Sequence, residues 1–247
     1  MKPIQLVIFD MAGTTVRDQK EVETCFAQAA RKTGLQVSDE RITAVQGWSK
    51  RFVFETLWKE QLVGSDLLAL DEHVMHSYTV FKQILENHYR TQPVQPTEGC
   101  LETFDWLHRQ GIPIALTTGF YREVTDLILS RLGWDIGLDE QHIGTPDSLI
   151  QLSVAGDEVP QGRPAPDMIR KVMQTLGVTD PAAVVNIGDT PSDLESGRRA
   201  GVGLNLGVTN GTHTEAQLRE HPHDALLPSL RELPALLERV MGEALVR

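Results

Sequence analysis

The sequence predicts an α/β protein, an open parallel sheet with helices on both faces that is interrupted after its first strand by a helical insertion. Three observations predict this. The run IQLVIFD at residues 4–10 is short, nearly continuously apolar and rich in β-branched residues, as a strand buried on both faces must be. The stretch from about Asp18 to Arg90 then reads as helices only. From residue 98 onward strand-like and helix-like pieces alternate, the pattern of a parallel sheet.

In chain order, residues 20–33 put Val22, Phe26, Ala29 and Ala30 on one helical face, with Gly34 as the stop. A second helix at 50–62 carries Phe52, Phe54, Leu57 and Trp58. A third, over 66–90, spaces Leu67, Leu70, Val74, Tyr78, Phe81 and Leu85 at helical intervals. The segment TQPVQPTEG has two prolines and a glycine and reads as a linker. Strands are expected at 112–118, 183–189 and 202–208, and helices at 98–109, 122–132, 166–176 and 229–242. Residues 1–17 and 94–247 are therefore expected to form the core and residues 18–93 a helical cap. Ligands of such doubly wound cores bind beyond the carboxyl ends of the strands.

The bulk composition narrows the function. Apolar residues make up 40% of the chain, enough for a packed core, and the net charge of −11 argues against nucleic acid or an anionic membrane as partner. A small anionic substrate stays open, because local cations and a metal override the overall sign. Two cysteines do not suggest a secreted disulfide scaffold. The apolar run at the N-terminus is too short for a membrane span and lacks a signal peptide's cleavage region, so a cytoplasmic location is expected.

Four motifs carry chemistry. VIFDMAGTTV places Asp10 at the tip of the first strand, where a carboxylate can attack phosphorus; the plain alternative is a turn cap. GDTPSD puts Asp189 and Asp193 four residues apart across a turn into a helix. With Asp10 they can hold Mg²⁺, while Ser192 or Asp193 can equally cap that helix. ALTTGFYRE ends another strand at Thr117, Thr118 and Gly119, where hydroxyls and N–H groups can grip phosphoryl oxygens. VPQGRPAPDMI supplies Arg163, a cation able to neutralise a phosphoryl group and its nucleophile, or simply to form a surface ion pair.

These four elements, in this order, resemble the haloacid dehalogenase superfamily from residue 6 to about 208. The resemblance implies a Rossmann-like core, a helical cap, and Mg²⁺ bound by Asp10, the backbone carbonyl of Ala12 and Asp189, with Asp193 in support. Family phosphatases usually carry a second Asp two residues after the nucleophile, which protonates the leaving group and activates water. This chain has Ala12, which does neither. The phosphonatase-like branch shares that departure, and DMAGTTV, TTGFYREV, VPQGRPAP and GDTPSD are each similar to it. In that branch a cap lysine forms an imine with an aldehyde substrate, so that carbon leaves phosphorus as an enamine. VQGWSKRF offers Gly47 and Trp48 as substrate-contacting residues and Lys50 as the lysine, with Arg51 beside it to favour the neutral amine. Simple anion binding by Lys50 is the alternative.

Two departures stand out. Val53 occupies the position of the branch's cap histidine, and Gln46 that of a methionine. His73, His76 and His88 lie elsewhere in the cap. Trp48, Phe52 and Phe54 line the pocket or belong to the core, and Tyr121 and Arg122 reach substrate or serve the start of a helix. Three functions follow: a phosphonatase-type hydrolase of a small phosphonate, a phosphomonoesterase of a small metabolite, or a phosphate sensor without turnover. Relatives pair through their caps, and the apolar 66–90 helix could serve a homodimer in the same way.

Overall fold

The computed structural model describes residues 3–45 and 48–245. In chain order these form β1 (Leu6–Asp10), α1 (Glu21–Thr33), α2 (Asp39–Ala44), α3 (Lys50–Gln61), α4 (Leu70–Thr91), α5 (Cys100–Arg109), β2 (Ile114–Thr117), α6 (Arg122–Leu132) and β3 (Leu152–Val154). There follow α7 (Asp167–Thr175), β4 (Val184–Gly188), α8 (Pro191–Ala200), β5 (Leu204–Val208), α9 (Glu215–Leu218), β6 (Ala225–Leu227) and α10 (Leu233–Leu245). All six strands are parallel and lie in the order β3-β2-β1-β4-β5-β6. The chain winds outward from β1 through β2 and β3, then returns to the other side of β1 at β4. Strand order reverses there, and a crevice for ligand opens at such a point.

Every residue of β1 is buried, and its side chains alternate between two apolar layers. Val7 and Phe9 face a large cluster that includes Phe104, Leu107 and Trp134. Leu6 and Ile8 face a smaller one with Met168, Ile169 and Val172 of α7. A strand covered on both faces needs apolar residues at both parities, which is why IQLVIFD shows no alternation.

Helices α1 to α4 form the cap. The chain enters and leaves it along two neighbouring segments: the Arg17 N–H donates to the Gln95 carbonyl at 2.9 Å and the Thr97 N–H to the Thr15 carbonyl at 2.9 Å. At the centre of the cap Phe26 stacks on Phe54 with centroids 4.4 Å apart, and Phe81 meets both edge-on at 5.8 and 6.0 Å. All three rings are buried, so Phe54 belongs to the core. A buried polar link ties three helices together: Trp58 Nε1 donates to Ser77 Oγ at 2.9 Å, and Ser77 Oγ lies 2.8 Å from Thr33 Oγ.

The expected strands and longer helices are all present, with shifted ends. The third cap helix begins as a 3₁₀ turn at Gly64–Ala69 and becomes α-helical at Leu70. The structure adds β3 and β6, three residues each, too short for periodicity to register. Cys25 and Cys100 are free and buried. No helix among the described residues is long and apolar enough to cross a membrane.

Because the cap rests on one aromatic cluster, Phe54→Ala should lower the unfolding free energy by about 3–5 kcal/mol in urea titration, the range for a large ring lost from a packed core. A loss no larger than that of a surface substitution would contradict this assignment.

Candidate active site

Asp10 ends β1, and the turn after it is wound tightly. The Met11 carbonyl accepts from the N–H groups of Thr14, Thr15 and Val16 at 3.1, 2.9 and 2.7 Å, and Thr15 Oγ donates to the Asp10 carbonyl at 2.9 Å. Gly13 takes φ +91°, where side chains are strained, and a Cβ there would overlap the Asp189 carboxylate. Thr14 Oγ donates to Asp189 Oδ1 at 3.0 Å. From the far side of the crevice the N–H and Oγ of Thr212 both donate to Oδ2 at 2.7 Å.

Asp193 lies in the first turn of α8. Its Oδ2 accepts from the Thr190 N–H at 3.0 Å and from Thr190 Oγ at 2.5 Å, a reciprocal cap that fixes the carboxylate. A residue of the cap on α8 is thus also a candidate metal ligand. Arg163, buried between these groups, donates from one terminal nitrogen to Asp10 Oδ1 and from the other to Thr117 Oγ at 2.5 Å. Its Nε stands 2.9 Å from Asp193 Oδ1. Arg163 is therefore no surface ion pair, and Thr117 is drawn into holding it.

One carboxylate oxygen from each of Asp10, Asp189 and Asp193 lies within 4.8 Å of the others. All three groups are buried, and one guanidinium faces them. Two negative charges are left over, the complement of a divalent cation. Asp193 Oδ1, although close to Arg163, has no aligned hydrogen bond. The donor set is all oxygen, which suits Mg²⁺. Burial lifts the Asp10 carboxyl well above its usual range; Arg163 lowers it, and Asp193 and Asp189 raise it further. Burial, then Asp193, pushes Asp189 to about 6, against the lowering bonds from Thr212 and Thr14.

Lys50 opens α3 and is buried. It reaches the same small cavity as Asp10, Ala12, Thr118 and Gly119, with Asp18, Val22, Phe120, Thr190 and Thr212 completing the wall. The cavity holds about 30 Å³, room for a water molecule and no more. Burial lowers the Lys50 pKa to about 8, against the raising charges of Asp18, Asp10 and Glu23; Arg163 lowers it further. The cation acting on Lys50 is thus Arg163. Arg51 is exposed and faces a separate cleft of about 610 Å³ between cap and core.

The remaining sequence candidates divide. The Thr118 N–H is committed to the Val154 carbonyl at 3.1 Å, and its hydroxyl accepts from the Phe120 N–H at 3.2 Å. Gly47 and Gln46 lie outside the described residues. Trp48 is half-buried, stacks on Phe52 at 5.4 Å and does not line the small cavity; Phe52 borders the larger cleft. Val53 is packed in the core. His73 stacks on Trp58, and among the described residues no histidine lines the small cavity. Tyr121 donates to Glu86 at 2.9 Å, and Arg122 is held by Asp126, Glu158 and Ser153, so both serve packing around α6. Sequence reasoning missed Asp18, Thr14, Thr190 and Thr212. The last three hold the clustered carboxylates through hydroxyls, and Thr190 and Thr212 also through their N–H groups, which leave no pattern in a sequence.

A model of the haloacid dehalogenase-like hydrolases matches residues 4–201. Phosphonoacetaldehyde hydrolase of Latilactobacillus sakei is 30% identical over 96% of this chain and 89% of its own length. Phosphonoacetaldehyde hydrolase of Bacillus cereus is 32% identical over 93% and 84%. Among solved structures, a hydrolase from Pseudomonas syringae superposes with a TM-score of 0.78 over 96% of this chain and 99% of its own, at 18% identity, a likeness of fold.

The raised pKa of Asp189 has a definite sign. With the folded value above the ordinary 3.8, its stability contribution is full below that value and is lost as pH rises through about 6. Metal-free protein should lose stability over that interval, and Mg²⁺ should restore it at neutral pH. Asp189→Asn should raise the metal-free Tm at neutral pH and cancel most of the Mg²⁺-dependent rise, both read by thermal unfolding with and without chelator. The same Mg²⁺ effect in both proteins would contradict the assignment.

Proposed function

Because the chain belongs to the haloacid dehalogenase-like hydrolases, we propose that it is a phosphonatase-type hydrolase, one that breaks the P–C bond of phosphonoacetaldehyde or a related carbonyl phosphonate. The carrying observation is the pairing of Asp10 with a buried, weakly basic Lys50 in one small cavity where Ala12 replaces the usual acid. The names of the relatives agree with this reading.

The chemistry follows from the two side chains. A neutral Lys50 amine attacks the substrate carbonyl and, with loss of water, forms an iminium. The Asp10 carboxylate attacks phosphorus; the P–C bonding pair moves into the carbon framework, and the iminium nitrogen receives the displaced electrons. An oxygen leaving group needs a proton to depart, whereas a carbon leaving as an enamine does not. Loss of the acid at Ala12 is therefore consistent with this leaving group and a handicap for an alkyl phosphate. Arg163 neutralises Asp10 and the incoming phosphoryl group. The hydroxyl of Thr118 and the backbone at Gly119 line the side where phosphoryl oxygens would rest. Mg²⁺, held by Asp10, the Ala12 carbonyl, Asp189 and Asp193, would supply the positive charge that lets one anion approach another.

A cavity of about 30 Å³ excludes bulk water but cannot admit a phosphonate, so the cap separates from the core to bind substrate and closes for reaction. The 610 Å³ cleft beside it, lined by Ser49 of the cap and Arg163 of the core, marks the path of entry.

Side-by-side assays test the reading. Turnover of phosphonoacetaldehyde should far exceed that of any simple phosphate monoester, and Lys50→Arg should abolish it while leaving the fold intact. A panel in which phosphate esters win would contradict it. With the amine titrating near 8, kcat/KM should rise about tenfold per pH unit below that value. A flat profile through the neutral range would speak against a nucleophilic Lys50.

A further inference from the structure

The imine route leaves one proton unaccounted for. After P–C cleavage the departing carbon is the terminal carbon of an enamine and must be protonated before product can leave. Ala12 has no proton to give, and the branch's cap histidine is replaced here by buried Val53. Among the described residues, three ionisable side chains line the small cavity: Asp10, Lys50 and Asp18. At this stage Asp10 is an acyl phosphate and Lys50 is covalently part of the enamine. Asp18 is what remains.

We propose that Asp18 is a catalytic acid, donating the proton to the carbon released from phosphorus. The inference rests on the imine reading given above. Asp18 is well placed for the task. It stands where the chain enters the cap, between the Arg17–Gln95 backbone bond and the start of α1. Its Oδ1 accepts from the Glu21 N–H at 2.8 Å, which fixes the side chain. Asp18 and Lys50 line the same small cavity, which puts the carboxyl within the enclosure where the enamine would form. Burial, then the neighbouring Glu21, raises its pKa to about 8, and it carries a proton at neutral pH.

The step balances. The Asp18 O–H bond breaks and a C–H bond forms at the terminal carbon, using the C=C pair. The nitrogen lone pair re-forms the C=N⁺ bond, and Asp18 is left as carboxylate. Water then adds to the iminium carbon and gives up a proton, which restores Asp18 as the aldehyde leaves and Lys50 is freed. The same carboxyl thus serves as acid and then as base, the double duty performed in relatives by the carboxylate that Ala12 lacks.

Asp18→Asn tests this in the full-length protein with phosphonoacetaldehyde and Mg²⁺. Asn still accepts from the Glu21 N–H and relieves a carboxyl whose pKa is raised on folding, so a Tm no lower than wild type is expected. Steady-state release of aldehyde should fall by about 100-fold or more. Rapid acid quench should still find a stoichiometric burst of P–C cleavage in the first turnover, as phosphorylated Asp10 plus released phosphate, formed at the wild-type rate, because the variant stalls after cleavage. Turnover close to wild type would overturn the proposal. Slow turnover without a burst would also overturn it, since Asp18 would then act before cleavage or only shape the site. Borohydride reduction of the wild-type protein with substrate separates the two layers: no adduct on Lys50 would bring down the imine reading, and the proposal with it.

Discussion

Three carboxylates are buried around a single guanidinium, and the rest of this protein is arranged to make that tolerable. Isolated buried charges cost several kcal/mol each unless they are paired and hydrogen-bonded. Here Asp189 is held by Thr14 and Thr212, Asp193 by Thr190, and Asp10 by Arg163. Those partners arrive on four different loops at the carboxyl ends of β1, β4 and β5 and from the segment before α7. The parallel sheet is the device that delivers them to one place. Even so, the pairing is incomplete, and the excess negative charge leaves the cluster able to hold a cation.

The cap supplies the opposite kind of group. Lys50 is carried at the start of α3, on an element whose other buried side chains are Val53, Phe54, Leu57 and Trp58. The aromatic cluster that holds the cap together therefore also fixes the amine above Asp10. Burial is the dominant influence on both reacting groups, raising the basicity of the carboxylate and lowering that of the amine. Their burial leaves both groups less well solvated than they would be at the surface. Exposure to water would return Lys50 toward its ordinary charged state, so its basicity depends on the enclosure.

Much of this was legible in the residues. Asp10, Arg163, Asp189 and Asp193 could be read because each sits at a strand tip or beside a helix start, in motifs with fixed spacing, and the fold followed from the same alternation. Lys50 was legible through its place after the first cap loop, although its burial was not. Other features required coordinates. Asp18 marked only the approximate start of the helical stretch, and the coordinates place it with Lys50 on the wall of one small cavity. Arg51 seemed the natural neighbour of Lys50 because it adjoins it in sequence, yet consecutive residues on a helix point about 100° apart, and Arg51 faces the larger cleft. Trp48, offered by the sequence as a substrate contact, stacks on Phe52 at the border of the larger cleft.

The account turns on Asp10 becoming a covalent intermediate. Rapid acid quench of the Mg²⁺-loaded protein during turnover of phosphonoacetaldehyde, followed by peptide mass spectrometry, tests this most directly. The peptide containing Asp10 should carry the mass of one phosphoryl group, and Asp10→Asn should remove both the label and turnover. Phosphate found on another residue, or sustained turnover in the Asp10→Asn protein, would contradict the account.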